Sequence, residues 1–126
     1  MNLFIFGLGY SCRHFLDRFA GDYTNISATV RDASRHTARS DCEILSFGPD
    51  RADPLIAARL AQADLLLVSV PPSGSGDPVL TAFGDAIKTS RIRRIVYLST
   101  VGVYGDHGGQ WIDETAPVAP SPGRRA

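Results

Sequence analysis

Short apolar runs recur along the chain at Leu3–Phe6, Ile26–Val30, Ile44–Phe47, Leu65–Val70 and Ile95–Leu98. As a set they do not alternate apolar with polar, which suits strands buried on both faces of a parallel sheet. Between them the period changes. Cys12, Phe15, Leu16 and Phe19 fall at i, i+3, i+4 and i+7, one stripe of a helix, with Ser11 as its expected N-cap. A second stripe, Leu55, Ile56, Arg59, Leu60 and Ala63, follows Asp53-Pro54, and a third, Leu80, Phe83 and Ile87, follows Asp77-Pro78. Both starts put a capping carboxylate ahead of a proline whose missing N–H costs nothing in the first turn. Between Arg31 and Cys42 only a short turn or two is expected.

Strand and helix therefore alternate and end on a fifth strand. Right-handed crossovers then give a three-layer α/β fold, a parallel sheet of about five strands in the order 3-2-1-4-5. Residues 1–115 are expected to form this domain and 116–126 an irregular, proline-rich tail.

The loop after the first strand gives this scaffold chemistry. Gly7-Leu8-Gly9-Tyr10-Ser11-Cys12 leaves a strand and enters a helix, the context in which a glycine-rich turn cradles a pyrophosphate. The first glycine permits the tight turn and the second lets the backbone approach the ligand. Cys12 stands where a third glycine or an alanine serves helix packing, and as a small hydrophobe it suits that place. Gly7, Gly9, Tyr10, Ser11 and Cys12 are thus the candidate diphosphate residues. Two glycines in an ordinary strand–turn–helix are the plainer reading.

The second strand runs into Val30-Arg31-Asp32 and then Arg35, about 20 residues on, where the adenosine ribose would lie. Arg31, with Asp32 and Arg35 beside it, offers a fork of donors to a 2′-phosphate. NADP is therefore expected, with NAD the alternative. Ser69, Val70 and Pro71 close the fourth strand beside the same crevice.

Composition excludes several partners. Thirteen basic residues balance thirteen acidic ones, leaving no field for nucleic acid or an anionic membrane. The apolar start is too short to span a bilayer. Cys12 and Cys42 have no metal or redox spacing, nor do His14, His36 and His107, so no metal site is expected and the cytoplasm is the expected compartment. Tyr104 and Trp111 read as packing aromatics, and His107 as an exposed loop residue.

The segment "RIVYLSTVGVYGDHGGQWIDETAP", with "FGLGYSCR", "TVRD" and "LVSVPP" in order before it, resembles the extended and atypical short-chain dehydrogenase/reductases, the NAD(P)-dependent epimerase/dehydratase group. The resemblance implies a Rossmann fold, a nicotinamide cofactor, an unidentified small-molecule substrate, and a catalytic hydroxyl at Thr100 with Ser99 beside it. It also implies a Tyr-x-x-x-Lys pair starting near Arg125, where "PSPGRRA" has neither residue. The chain is accordingly read as the N-terminal part of such an enzyme, not catalytically complete by itself. The alternative is a non-catalytic module responsive to NADP(H). A sheet that ends on its fifth strand leaves apolar surface uncovered, so a homodimer is expected.

Overall fold

A computed structural model describes residues 1–74 and 76–120. Ser75, and residues 121–126 of the expected tail, lie outside the described residues. Nine elements follow in order: β1 (Asn2–Phe6), α1 (Tyr10–Phe19), β2 (Asn25–Val30), β3 (Glu43–Gly48), β4 (Arg51–Ala52), α2 (Leu55–Gln62), β5 (Leu65–Val68), α3 (Pro78–Lys88) and β6 (Arg94–Tyr97). They form one sheet in the order β4-β3-β2-β1-β5-β6.

All pairings are parallel except β3–β4. The five parallel strands thus stand in the expected succession. The addition is β4, two residues that fold back on Phe47 and Gly48 across the Pro49-Asp50 turn. Two residues leave no periodic trace in a sequence, which is why it was not foreseen.

The alternation of β1 shows how the layers are held. Leu3 and Ile5 face α1 with Leu16, Ile26, Ala28 and Leu67, whereas Phe4 and Phe6 face α2 and α3 with Ile56, Leu60 and Val79. Phe4, Ile5 and Phe6 are wholly buried. Burying side chains of this size stabilises by roughly 1.5–3 kcal/mol each. On the second face Phe6, Phe47 and Phe83 form a triangle of rings with centroids 5.3–5.6 Å apart, an aromatic cluster that fixes how α3 sits on the sheet.

Helix starts follow the chemistry of their caps. The Asp77 carboxylate accepts from the N–H groups of Val79 and Leu80 at 2.8 and 2.9 Å, and that of Asp53 from Leu55 at 2.9 Å. Two details differ from the sequence reading. Ser11 is not the N-cap of α1; Gly9 is, with no side-chain cap, and Ser11 lies exposed within the first turn. In α3 the buried position is Val79, while Leu80 is exposed. Val79, Phe83 and Ile87, four residues apart, make the inward stripe, and Leu80 lies off it.

Candidate functional site

At the carboxyl end of β1 the chain turns sharply. Gly7 has φ +90°, in the left-handed region, and a Cβ there would sit 2.8 Å from Ser69 Oγ and 3.1 Å from Val70 Cγ2. Both its conformation and its surroundings require glycine. Gly9 is different. Its φ is −84°, which any residue adopts, and nothing lies within 4 Å of where its Cβ would be. The protein itself has no need of glycine at position 9; open space adjoins it.

That space is lined by donors. The amide of Gly9 returns to Gly7 O at 2.9 Å and that of Arg13 to Gly9 O at 3.0 Å. The amides of Tyr10, Ser11 and Cys12 between them have no acceptor among the described residues. They are the orphan donors of the first helical turn, at its positive end. No acidic side chain stands in that turn to compete with an anion. Tyr10 is exposed, its ring edge-on to His14 at 4.5 Å. The Cys12 side chain points into the core, 1% exposed, so only its amide faces the loop.

Beside the loop, β2 ends at Val30 and Arg31 is exposed. Asp32 is already engaged through one carboxylate oxygen, Oδ1. Its carboxylate caps the short turn Ala33–Arg35, accepting from Ser34 N at 3.1 Å, Ser34 Oγ at 2.6 Å and Arg51 at 3.2 Å. The Ser34 hydroxyl bond, ahead of the Arg51 charge, lowers its pKa. Arg35 is exposed on that turn. Opposite, Arg13 reaches across from α1, donating to Leu8 O at 3.3 Å and meeting His36 Nε2 at 2.8 Å. His36 Nδ1 lies 2.8 Å from Thr37 O, so the ring is held between a guanidinium and a carbonyl. Arg13, Arg31 and Arg35 together make this corner cationic.

Comparison with solved structures now bears on this geometry. The chain is similar to a conserved protein of unknown function from Silicibacter pomeroyi, at 35% identity and a TM-score of 0.76, over 95% of this chain and 43% of that one. It is also similar to a candidate NAD-dependent epimerase/dehydratase from Methylobacillus flagellatus (18%, TM-score 0.70, 95% and 44%). A short-chain dehydrogenase/reductase superfamily protein from Agrobacterium tumefaciens with bound NAD matches at 13% and a TM-score of 0.65, over 96% and 40%. This chain has their Rossmann fold. It spans less than half the length of these three structures. No protein-family model matches the chain, and no curated protein does.

In this Rossmann chain the other expected residues lie further round the carboxyl edge. Ser69 and Val70 follow β5 and press against Gly7; Pro71 is exposed beyond them. Thr100, after β6, is exposed, and its Oγ1 accepts from Gly102 N at 3.2 Å, capping the turn Val101–Tyr104. Ser99 is exposed beside it. Trp111 is fully exposed, contrary to the packing role expected of it. His107 is half-buried rather than exposed, its Nε2 2.9 Å from Tyr104 O.

Two residues escaped the sequence reading. Thr29, 1% exposed, accepts the Gly7 N–H through Oγ1 at 3.0 Å; its only signal is a hydroxyl inside an apolar strand. Tyr97 donates to Val70 O at 3.4 Å, and desolvation first, then Asp77, raises its pKa. Among the described residues no helix is long and apolar enough to cross a membrane.

Proposed function

We propose that this chain is the NADP(H)-binding part of an enzyme of the epimerase/dehydratase group of short-chain dehydrogenase/reductases, with NAD(H) the alternative cofactor. One observation carries the reading: glycine at position 9 is unexplained by the fold and opens onto three unpartnered amides. A diphosphate would rest there, held by Tyr10, Ser11 and Cys12 N–H at the head of α1. Arg31 and Arg35 would take the adenosine end, with Arg13 adding charge, and their guanidinium groups would favour a 2′-phosphate over a free 2′-hydroxyl. Bound there, the nicotinamide would supply hydride chemistry; Val70 and Pro71 would flank it. In the complete enzyme Thr100, with Ser99, would hydrogen-bond the reacting oxygen of a small carbonyl or sugar-like substrate. The buried, unpaired Cys12 and Cys42 suit the reducing cytoplasm. Exposed Ile95, Val96, Tyr97 and Leu98 would pair two copies of this chain.

A second reading, a non-catalytic NADP(H)-responsive module, is favoured by Thr100 already serving its own turn. Titration with NADPH and NADH, for wild type and Arg31→Ala, tests the first. Wild type should prefer NADPH, and the variant should lose that preference by roughly tenfold or more, the worth of charge-assisted hydrogen bonds. Binding of neither dinucleotide by wild type would overturn it.

A further inference from the structure

We infer that Thr29 and Ser69 are positioning residues for the diphosphate loop: one hydroxyl from each strand flanking β1 grips Gly7, and the grip aims the amides of Tyr10, Ser11 and Cys12 at the ligand. This rests on the dinucleotide reading above and gives the site a part that touches no cofactor atom.

The geometry is a two-sided clamp on one residue. From β2, Thr29 Oγ1 accepts the Gly7 N–H at 3.0 Å, and the Thr29 carbonyl accepts Leu8 N–H at 2.7 Å. From the end of β5, Ser69 donates its hydroxyl to Gly7 O at 2.5 Å, while Ser69 N–H donates to Phe6 O at 2.8 Å. Both polar groups of Gly7 are therefore bonded by side chains, one within β2 and one just past β5, and the carbonyl also accepts from Gly9 N–H. That has two consequences.

First, Gly7 offers nothing to a phosphate, so the ligand's donors are confined to the next turn. Second, the left-handed Gly7 is the pivot on which the chain swings from β1 into α1, and an unclamped glycine is the most freely rotating pivot available. With its N–H and C=O fixed from opposite sides, the start of α1 is held at one angle. Leu8 and Cys12 then enter the core at 3% and 1% exposure. Losing the Thr29 hydroxyl leaves a half-buried N–H without that partner, and the loop must turn to satisfy it. That turn moves the orphan amides away from a common point.

The test uses the 126-residue chain and NADPH as the probe. Thr29→Val keeps the shape and removes the acceptor; Ser69→Ala removes the donor; Thr29→Ser restores the hydroxyl. Each is titrated with NADPH, with hydrogen exchange at the Gly7 amide measured in the free protein. Thr29→Val should bind about five- to tenfold more weakly, one hydrogen bond's worth, with faster Gly7 exchange. Ser69→Ala should lose affinity similarly, and Thr29→Ser should return both readouts to near wild type. Unchanged NADPH affinity in Thr29→Val and Ser69→Ala, with Gly7 exchange accelerated, would overturn the inference while leaving the dinucleotide reading intact. An equal loss in Thr29→Ser would assign the effect to packing and overturn it too. Failure of wild type to bind any dinucleotide would instead defeat the underlying reading, and this inference with it.

Discussion

The two ends of the carboxyl edge are built in opposite ways. Around β1, β2 and β5 the loops are backed by buried residues, and the Thr29 and Ser69 hydroxyls both hydrogen-bond Gly7. Around β6 the chain is exposed throughout Arg94–Thr100, and the Thr100 hydroxyl oxygen serves only its own turn. The first end is rigid before any ligand arrives, which lowers the ordering cost of binding. At the second, few packing contacts within the described residues set side-chain positions. Preorganisation in this chain is therefore a property of the β1–α1 end.

The sharpest way to break that contrast is to treat the two glycines of the first end separately. Gly7→Ala forces an L residue to φ +90° and drives a methyl against Ser69 Oγ. It should cost about 2–4 kcal/mol of stability, from strain and overpacking together, read from the denaturant midpoint. Gly9→Ser should behave oppositely. Serine is a better N-cap than glycine by a few tenths of a kcal/mol, so α1 should hold or gain stability. Yet the new side chain fills the space a diphosphate needs and its oxygen takes one of the orphan amides. Dinucleotide binding should disappear from a protein at least as stable as wild type. Retained binding in Gly9→Ser would remove the phosphate end from the function.

The contrast also explains what could be read from sequence. Leu3–Phe6 and Leu65–Val68 announced buried strands because both faces of each are covered, and Asp77-Pro78 announced its helix because cap chemistry is local. The places of Arg31 and the glycine loop were legible for the same reason, since each directly follows a strand end. Thr29 was not, since its partner Gly7 lies 22 residues away and only the sheet brings them together. The capture of Asp32 by Arg51 likewise depends on β4, too short to leave a pattern. Trp111 misled because a large aromatic is usually buried, and here no described residue covers it.

At the β6 end the largest effect should be on association rather than stability. Val96 pairs with Leu67 in register and shares its side of the sheet, yet it is 48% exposed where Leu67 is 9% exposed. A strand with exposed apolar faces and a free edge recruits a second strand. Val96→Lys should convert a self-associating chain into a monodisperse monomer in light scattering. Its cost to the fold should stay within about 1 kcal/mol, the span of strand propensities. A wild-type chain that is already monomeric would show that β6 is quieter than its composition suggests.

The smallest effect should come from Thr100→Ala, and its smallness is informative. Thr100 donates no hydrogen bond to a neighbouring strand; its oxygen caps a single exposed turn at 3.2 Å from Gly102 N. Losing a cap of this kind costs about 0.5–1 kcal/mol, and exposure of the turn places the expected value at the low end. The phosphate loop should not register the change, so NADPH affinity should stay within about twofold, well inside one hydrogen bond's worth. Thr29→Val deletes the same hydroxyl from the same residue type at the other end of the sheet edge. If Thr100→Ala weakened NADPH as much as Thr29→Val, the two ends would be one site, and the hydroxyl after β6 would belong to cofactor binding rather than to a substrate.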